Sequence, residues 1–483
     1  MLAVSALVLV PCWWHRRIEA SDLGSHVYNA WLAQLIRRGQ APGLWIAHQW
    51  TNVLFDLILS FFGSIFGLGG PLHLAEKFSV SLCVLLFFWG AFALVAAATR
   101  RAPWLLAPVI ALIAYGYTFR MGFFNYYLAL GLSFFALAIF WRGRGPERLI
   151  ALVIAPLIFF AHAIGFLWLA GAAVYIELAE RFPRRRPLVL LLPVAALLAL
   201  HEYFWKHYIV EAAPHSLLWF SGADQIVLFG DRYWICAGAI VAFAVVALAI
   251  DLVGRWRAPA APRDSANAGA EGSGAFGIPL QLYVVALLAV PLLPRGVYVS
   301  HTVPIALLTD RLTSVSAVLA CCLLGAMRPR WWHLAASAAI AAVFFAFVYQ
   351  DTAIENRMEA QAERLVRTLP RNSRVMATID PPIESRILIQ HMIDRACIGY
   401  CFSYGNYEPS TGVFRVRSTP GNPYVFNDYA QAIAMEDGDY SVQPQDLPVY
   451  QVYQCDDTGT RLCIRPLAAG EDNDETGVHP ASQ

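Results

Sequence analysis

The sequence is poor in charge. Only 14% of its 483 residues are Asp, Glu, Lys or Arg, against about 25% in ordinary soluble proteins, while 58% are hydrophobic and the mean hydropathy is +0.51. That shortage excludes a soluble globular enzyme. Other absences narrow the field. There is no Walker loop, no His-Glu-x-x-His and no Gly-x-Ser-x-Gly element, so the chemistries that depend on them have no support. Nucleotide-sugar chemistry has no cytoplasmic catalytic domain to house it. Met1–Trp14 lacks a charged n-region and a small-residue cleavage site, so it reads as a short first span and not as a removed signal peptide. No internal repeat or inverted half-pattern is evident, which disfavours the repeat-built transporter folds.

The scarce charge is unevenly spread. Residues 1–350 hold 24 basic and 15 acidic groups, a net +9, and residues 351–483 hold 11 and 19, a net −8. The positive excess lies in short clusters between apolar runs, which excludes a nucleic-acid footprint in one groove-sized patch. A hydrocarbon core about 30 Å thick needs roughly 17–25 apolar helical residues per crossing. Eleven candidates follow, near 1–14, 73–99, 103–119, 121–141, 149–161, 164–180, 187–204, 234–253, 277–294, 306–327 and 333–350. Under this numbering Arg100/Arg101, Arg142/Arg144/Arg148, Arg181/Arg184/Arg185/Arg186, Arg255/Arg257/Arg263 and Arg328/Arg330 fall on one side. The positive-inside bias makes that side cytoplasmic, with the amino terminus inside and residues 351–483 outside. The same parity prefers a helical hairpin turning near His162–Gly165. Trp50–Gly70, apolar but carrying Asp56, reads as interfacial or re-entrant.

The expected fold is thus an α-helical polytopic membrane protein of about 11 transmembrane helices with a small α+β extracytoplasmic C-terminal domain. Its parts are a membrane domain at 1–350, with a first external loop at 15–72 and a mobile cytoplasmic linker at 258–277, an outer domain at 351–467, and a disordered acidic tail at 468–483. In the outer domain Glu355–Leu369 reads as a helix continuing the last span, Arg374–Ile379 as a strand and Ile387–Ala396 as a helix. Val449–Cys455 and Arg461–Pro466 flank the turn-forming Asp456-Asp457-Thr458-Gly459 and read as a hairpin. Cys397, Cys401, Cys455 and Cys463 allow three pairings, and an exported compartment favours two disulfides over a zinc site. The other five cysteines read as small buried hydrophobes.

Chemistry is concentrated after the first span. Glu19-Ala20-Ser21-Asp22-Leu23-Gly24-Ser25-His26-Val27-Tyr28-Asn29 is followed by Arg37-Arg38-Gly39-Gln40-Ala41-Pro42. Ser21 is placed to cap a helix starting at Asp22. On that helix Asp22, His26 and Asn29 share one face, and Leu23, Val27 and Trp31 form an apolar stripe suited to the membrane surface. A carboxylate at the outer interface is placed to take a proton from an acceptor hydroxyl. The plainer alternative makes Asp22 a macrodipole partner and His26 a solvated polar residue.

An acidic residue just beyond the first span, then a histidine, then an amphipathic helix ending in Arg-Gly-x-x-Pro resembles the first external loop of class C (GT-C) integral membrane glycosyltransferases. The span layout is similar over about 350 residues, while the specific part runs from Asp22 to Pro42. The resemblance implies transfer of a sugar from a polyprenyl-phosphate donor to an extracytoplasmic glycan, lipid or protein acceptor, in a bacterial inner membrane with the C-terminal domain in the periplasm. Asp22 matches the family's catalytic acidic residue, and His26 accompanies it. The sequence lacks the Asp-x-Asp or Glu-Asp pair of the commoner pattern, which leaves a divalent cation, Mg or Mn, as an open cofactor and its ligands unknown. Glu19 is placed to assist Asp22, or reads as an interfacial charge.

A transferase of this type needs cations near the leaving phosphate. Candidates are Arg120, Lys206, His207, Arg232, Arg295, His301 and Arg311, with Arg120, Arg295, His301 and Arg311 foremost. Arg295 and His301 follow Pro291-Leu292-Leu293-Pro294, expected to break the ninth span. The alternative for each is snorkelling to lipid headgroups. Asn29, Asn125 and His162 are candidate substrate contacts beside Glu19, and Tyr404, Asn406, Tyr407 and Glu408 are candidates for glycan contact or for a structural loop. Two competing functions stay open, a transporter or flippase of a lipid-linked substrate and a non-catalytic envelope-assembly protein.

Overall fold

The computed structural model describes residues 1–213, 220–257, 268–298, 305–382 and 385–473, with the backbone alone for 268–276. It is mostly helical. The amino-terminal helices are α1 (Leu2–Trp13), α2 (Leu23–Arg37), α3 (Leu54–Phe66) and α4 (Leu74–Thr99). Among the described residues seven helices are long and apolar enough to cross a membrane. They are Leu74–Thr99, Phe124–Arg142, Ala163–Arg181, Pro183–His207, Arg232–Arg257, Leu308–Gly325 and Trp331–Val366. Seven such helices in one chain fit a polytopic helical membrane protein. The expected count of eleven is not reached at that length. The segment at 1–14 is the 12-residue α1 with Pro11 inside it, and that at 149–161 belongs to the 16-residue helix Pro146–Ala161 with Pro156 inside it. The segment at 103–119 is broken into Trp104–Leu106, Ala107–Ala114 and Tyr117–Arg120, and the apolar part of that at 277–294 is the short Gly277–Leu292.

Three local expectations are met in place. The helix reaching Leu292 stops just before Pro294, whose ring disfavours helix in the residue ahead of it. Pro146–Ala161 and Ala163–Arg181 are separated by a single extended residue, His162. Trp331–Val366 has 36 residues, about 54 Å at 1.5 Å per residue. It therefore outruns the hydrocarbon thickness and continues from Asp351 as a charged helix. The linker expectation is corrected in part: the backbone is helical from Ala268 onward, where alanines favour helix, and 258–267 lie outside the described residues.

The chain divides into two compact units. One comprises Met1–Val8, Cys83–Phe119 and Asn125–Phe347; the other comprises Leu9–Leu82, Arg120–Phe124 and Val348–Gln483. The first is helical, with one short antiparallel pair of β2 (Ile209–Glu211) and β3 (Gly296–Tyr298). The second, the mixed unit, contains the remaining strands: β1 (Leu44–Ile46), β4 (Arg374–Thr378), β5 (Phe402–Ser403), β6 (Val416–Ser418), β7 (Val449–Gln454) and β8 (Leu462–Leu467).

Four of these form a sheet in the order β5-β4-β7-β8, parallel except for the β7–β8 hairpin, where Val452 faces Ile464. The Asp456–Gly459 turn closes that hairpin, with Gly459 N donating to Asp456 O at 3.2 Å. Cys455 and Cys463 bridge it, and Cys397 bridges Cys401. β1, from the first external loop, pairs antiparallel with β6, Trp45 opposite Arg417. Tyr28, Leu32 and Ala33 of α2 share one core with Met358, Val375, Cys397 and Val452.

That core overturns the surface placement of α2. Leu23 and Val27 are buried and Trp31 packs on the core cluster, so the apolar stripe is spent on protein instead of lipid. The segment expected as helix from Ile387 becomes helical only at Met392, after a turn at 390–391. Ile387 and Ile389 are buried while Leu388 is 44% exposed, the two-residue period of extended backbone. Residues 468–473, expected in the tail, are tied in: Gly470 N donates to Val442 O, Val442 N to Glu471 O, and Asn473 is buried.

Candidate active site

The site residues of the mixed unit begin at the start of α2. The helix starts at Leu23 with Asp22 as its N-cap residue, and no side chain caps it. Ser21, expected to cap, keeps a buried hydroxyl without a partner, because the chain ahead of the helix is held from its other side. Ser21 N donates to Arg120 O at 2.9 Å and Asp22 N to Met121 O at 3.3 Å. Gly122 allows this approach: it has φ +75°, and a Cβ there would lie 2.7 Å from Asp22 N. Gly24 serves the opposite face, where a Cβ would fall 2.2 Å from His391 O. The turn carrying His391 is thereby seated directly on the first turn of α2.

His391 is the imidazole that faces Asp22. Its Nε2 lies 3.8 Å from Asp22 Oδ1, and its Nδ1 3.1 Å from Asp394 Oδ2. Asp394 in turn accepts from Ser403 Oγ. Burial opposes the imidazolium, but the hydrogen bond to Asp394 and the charges of Glu436, Asp394 and Asp22 outweigh it and push His391 up to about 10. Asp22 keeps a quarter of its side chain exposed, whereas His391 is buried. The arrangement is a reachable carboxylate with a buried, braced imidazole 3.8 Å away.

His26 does not join Asp22. Its Nδ1 sits 2.8 Å from Asp56 Oδ1 of α3. There burial is outweighed by Asp56, then Glu408 and Asp22, and His26 is pushed up to about 9. Asn29 faces another partner set. Its amide donates to Ser25 O at 3.0 Å, and its Oδ1 accepts from Asn406 Nδ2 at 3.1 Å. Ser25 Oγ donates to Glu408 Oε1 at 2.8 Å, whose carboxyl burial pushes up to about 7 against the pull of His26. The Tyr407 ring lies 5.4 Å from that of His391. The loop at 404–408 is thus brought against α2, joining two groups of candidates that the sequence treated separately.

Glu19 and Arg120 lie below this layer. Arg120 is buried and its Nη1 donates to Glu19 O at 2.6 Å. The Glu19 carboxylate meets Arg395 Nη2 at 3.1 Å. Arg395, which sequence reasoning missed, also binds Glu76 at 3.1 Å, Ile18 O at 3.0 Å and Glu359 through Nε at 2.7 Å. Arg17 pairs with Glu359 at 3.2 Å and with Glu363. A small cleft of about 20 Å³ opens beside this network, its lining including Glu19, Ser21, Glu355, His391 and Arg395.

The remaining candidates lie in the helical unit. Arg295 donates to Asp310 Oδ2 at 3.0 Å and to Glu211 Oε1 at 2.8 Å, so its charge is shared by two carboxylates. Arg311 O accepts from Tyr126 O–H at 3.0 Å, and Asn125 is buried in the first turn of its helix. His162 caps Ala163–Arg181, its Nδ1 accepting from Ile164 N at 3.2 Å. Lys206 pairs with Glu202. A polar cluster unmarked in the sequence joins Thr313 Oγ1 to Asp224 Oδ2 at 2.7 Å, and Gln225 to Thr313, Thr118 and Asp310 O. His301 lies outside the described residues.

The candidate divalent cation finds no fitting ligand set among the described residues. Among the described residues no group of three or more His, Cys, Asp or Glu side chains is arranged to hold a metal ion. The carboxylates deepest in the site are engaged by Arg395 and Arg17. Compared with known protein families, curated proteins and solved structures, the chain matches none.

One signal for the missed residues was available. Glu355, Glu359 and Glu363 recur every four residues on the helix that outruns its span, one face of carboxylates that calls for cations. His391, Asp394 and Arg395 fall within five residues, a density of chemistry unusual for a structural turn.

Proposed function

We propose that this protein is a membrane glycosyltransferase that moves a sugar from a polyprenyl-phosphate donor to a hydroxyl of an extracytoplasmic acceptor, with Asp22 as general base. The observation that carries this reading is the pairing of the accessible Asp22 carboxylate with the buried His391 imidazolium, itself braced by Asp394. A general base must be reachable and set in fixed surroundings; the exposed quarter of the Asp22 side chain supplies the first, and the buried His391–Asp394 pair beside it the second. In the step, the acceptor oxygen forms a bond to the anomeric carbon while the bond from that carbon to the phosphate oxygen breaks. The polyprenyl phosphate leaves with the electron pair, and the acceptor proton passes to Asp22. His391 acts as a positioning residue. The apolar spans support the reading by offering a membrane in which a lipid-linked donor would reside, and the two cysteine bridges suit an exported compartment.

The test compares envelope lipids and glycans by mass spectrometry in a strain lacking the protein, complemented with wild type or Asp22→Asn at matched levels. Restoration of a missing sugar increment by wild type alone is the expected outcome, with purified Asp22→Asn at least 100-fold slower in transfer, the scale of losing general-base catalysis at about 10²–10⁴-fold. Equal rescue by both, or an unchanged profile in the deletion strain, overturns the reading in favour of transport or scaffolding.

A further inference from the structure

Two stretches of backbone meet at the first turn of α2 with no room for a side chain between them. A Cβ on Gly24 would lie 2.9 Å from the His391 carbonyl carbon and nearer still to its oxygen, where carbon atoms in good contact keep about 3.5–4.0 Å. Both atoms are backbone, so no change of rotamer relieves the overlap. Helix propensity alone favours alanine over glycine at such a position, which leaves the contact as the physical use of the glycine. The same unit carries a contrasting case in Gly412, where a Cβ would meet nothing within 4 Å.

The helix cannot yield on its other side. There Ser21 N and Asp22 N donate to Arg120 O and Met121 O, and a Cβ on Gly122 would lie 2.7 Å from Asp22 N and 2.8 Å from Leu23 N. The first turn of α2 is thus gripped between the 120–122 backbone and the turn at 390–391. A side chain at position 24 would have to push that turn outward, on the order of 1 Å to restore contact distance. His391 Nδ1 is 3.1 Å from Asp394 Oδ2, and Asp394 belongs to the helix Met392–Cys397 that directly follows the turn. The imidazole and Asp394 would shift as a pair, and the distance that changes is the 3.8 Å between His391 Nε2 and Asp22 Oδ1.

We infer that Gly24 is a positioning residue, whose missing side chain sets the spacing of Asp22 and His391 by backbone contact and thereby the rate of the step at Asp22. Its part in transfer rests on the proposed role of Asp22; its control of the spacing does not.

The experiment titrates His391 by NMR in the full-length protein, histidine-labelled and held in lipid nanodiscs, with the signal assigned by its loss in His391→Gln. Asp22 is among the charges that push His391 up, after the Asp394 hydrogen bond and Glu436, so Asp22→Asn should lower the midpoint. Gly24→Ala should lower it by at least half as much, and Gly24→Ala added to Asp22→Asn should move it no further, the signature of action through that pair. In transfer, Gly24→Ala should lose at least tenfold in kcat with KM within twofold, against the roughly 10²-fold that a misplacement of about 1 Å can cost. Gly412→Ala should match wild type in both measurements. An unmoved midpoint in Gly24→Ala, or a shift that persists without the Asp22 charge, overturns the inference. So does a Gly24→Ala chain that does not fold, because the contact would then serve the fold and not the spacing. Asp22→Asn leaves the contact intact, and an unmoved midpoint there also overturns it. A shifted midpoint with unchanged kcat overturns the link from spacing to rate. Titrations as expected in a protein that performs no transfer would sink the transferase reading and leave the spacing role standing.

Discussion

His391 is pushed up to about 10 in the folded protein from an ordinary value of 6.5, and that interval has a stability consequence. Across it the folded chain binds the proton that the unfolded chain releases. The contribution is complete below pH 6.5 and is lost as pH rises through 10. His26, pushed up to about 9 by Asp56, adds a loss of the same sign over a narrower window. The thermal midpoint of the protein in nanodiscs should therefore fall steadily from pH 6.5 to 10. In His391→Gln it should be lower by several degrees at pH 6.5, with a shallower slope above pH 7. An identical slope in that variant would show that the imidazolium does not sit between Asp22 and Asp394. The sequence located the base candidate, since Asp22 stands where a carboxylate follows an apolar run. It did not locate the partner. The partner lies more than 300 residues along the chain, and no local period connects residue 22 to residue 391.

At the scale of elements, patterns that complete themselves within a few residues were legible. The β7–β8 hairpin follows from its turn residues and flanking alternation, and the continuation of Trp331–Val366 beyond its apolar part follows from where charge resumes. Patterns that depend on what covers them were not. α2 presents a stripe of Leu23, Val27 and Trp31 that suits a lipid surface and a protein core equally well, and β1, β6 and the core around Met358 decide the matter. α3 is the converse case. Phe55, Leu59 and Gly63 are buried, while Leu57, Phe61 and Ile65 on the other face are 45%, 60% and 57% exposed. Asp56 in its first turn meanwhile ties it to His26. An exposed apolar face on a helix eight residues ahead of a span fits an in-plane seat at the membrane interface. A spin label on Phe61→Cys should be relaxed by oxygen severalfold more than by a water-soluble nickel chelate. The reverse ratio would place α3 in water.

At the scale of the whole molecule, the charge break near residue 350 does not mark the edge of a folding unit. The mixed unit draws on Leu9–Leu82 and Arg120–Phe124 as well as on the chain after Val348. Composition could not reveal this, because a loop and a distant domain of similar polarity look alike whether or not they pack together. The dependence is energetic. Removing the first loop strips Leu23, Val27, Tyr28 and Leu32, each at most 2% exposed, at about 1.5–3 kcal/mol apiece for such buried side chains. Their sum is comparable to the 5–15 kcal/mol that holds a typical domain. It also leaves β6 without β1 and takes Glu19 from Arg395, and a buried cation that loses partners costs several kcal/mol more. A fragment of residues 351–483, expressed in an oxidising compartment with its disulfides formed, should therefore show no cooperative thermal transition by circular dichroism and should bind a hydrophobic dye. Melting as sharp as that of the full chain would mean that the core built around Met358, Val375 and Val452 stands without α2, and that the Asp22–His391 pairing joins two parts that fold separately.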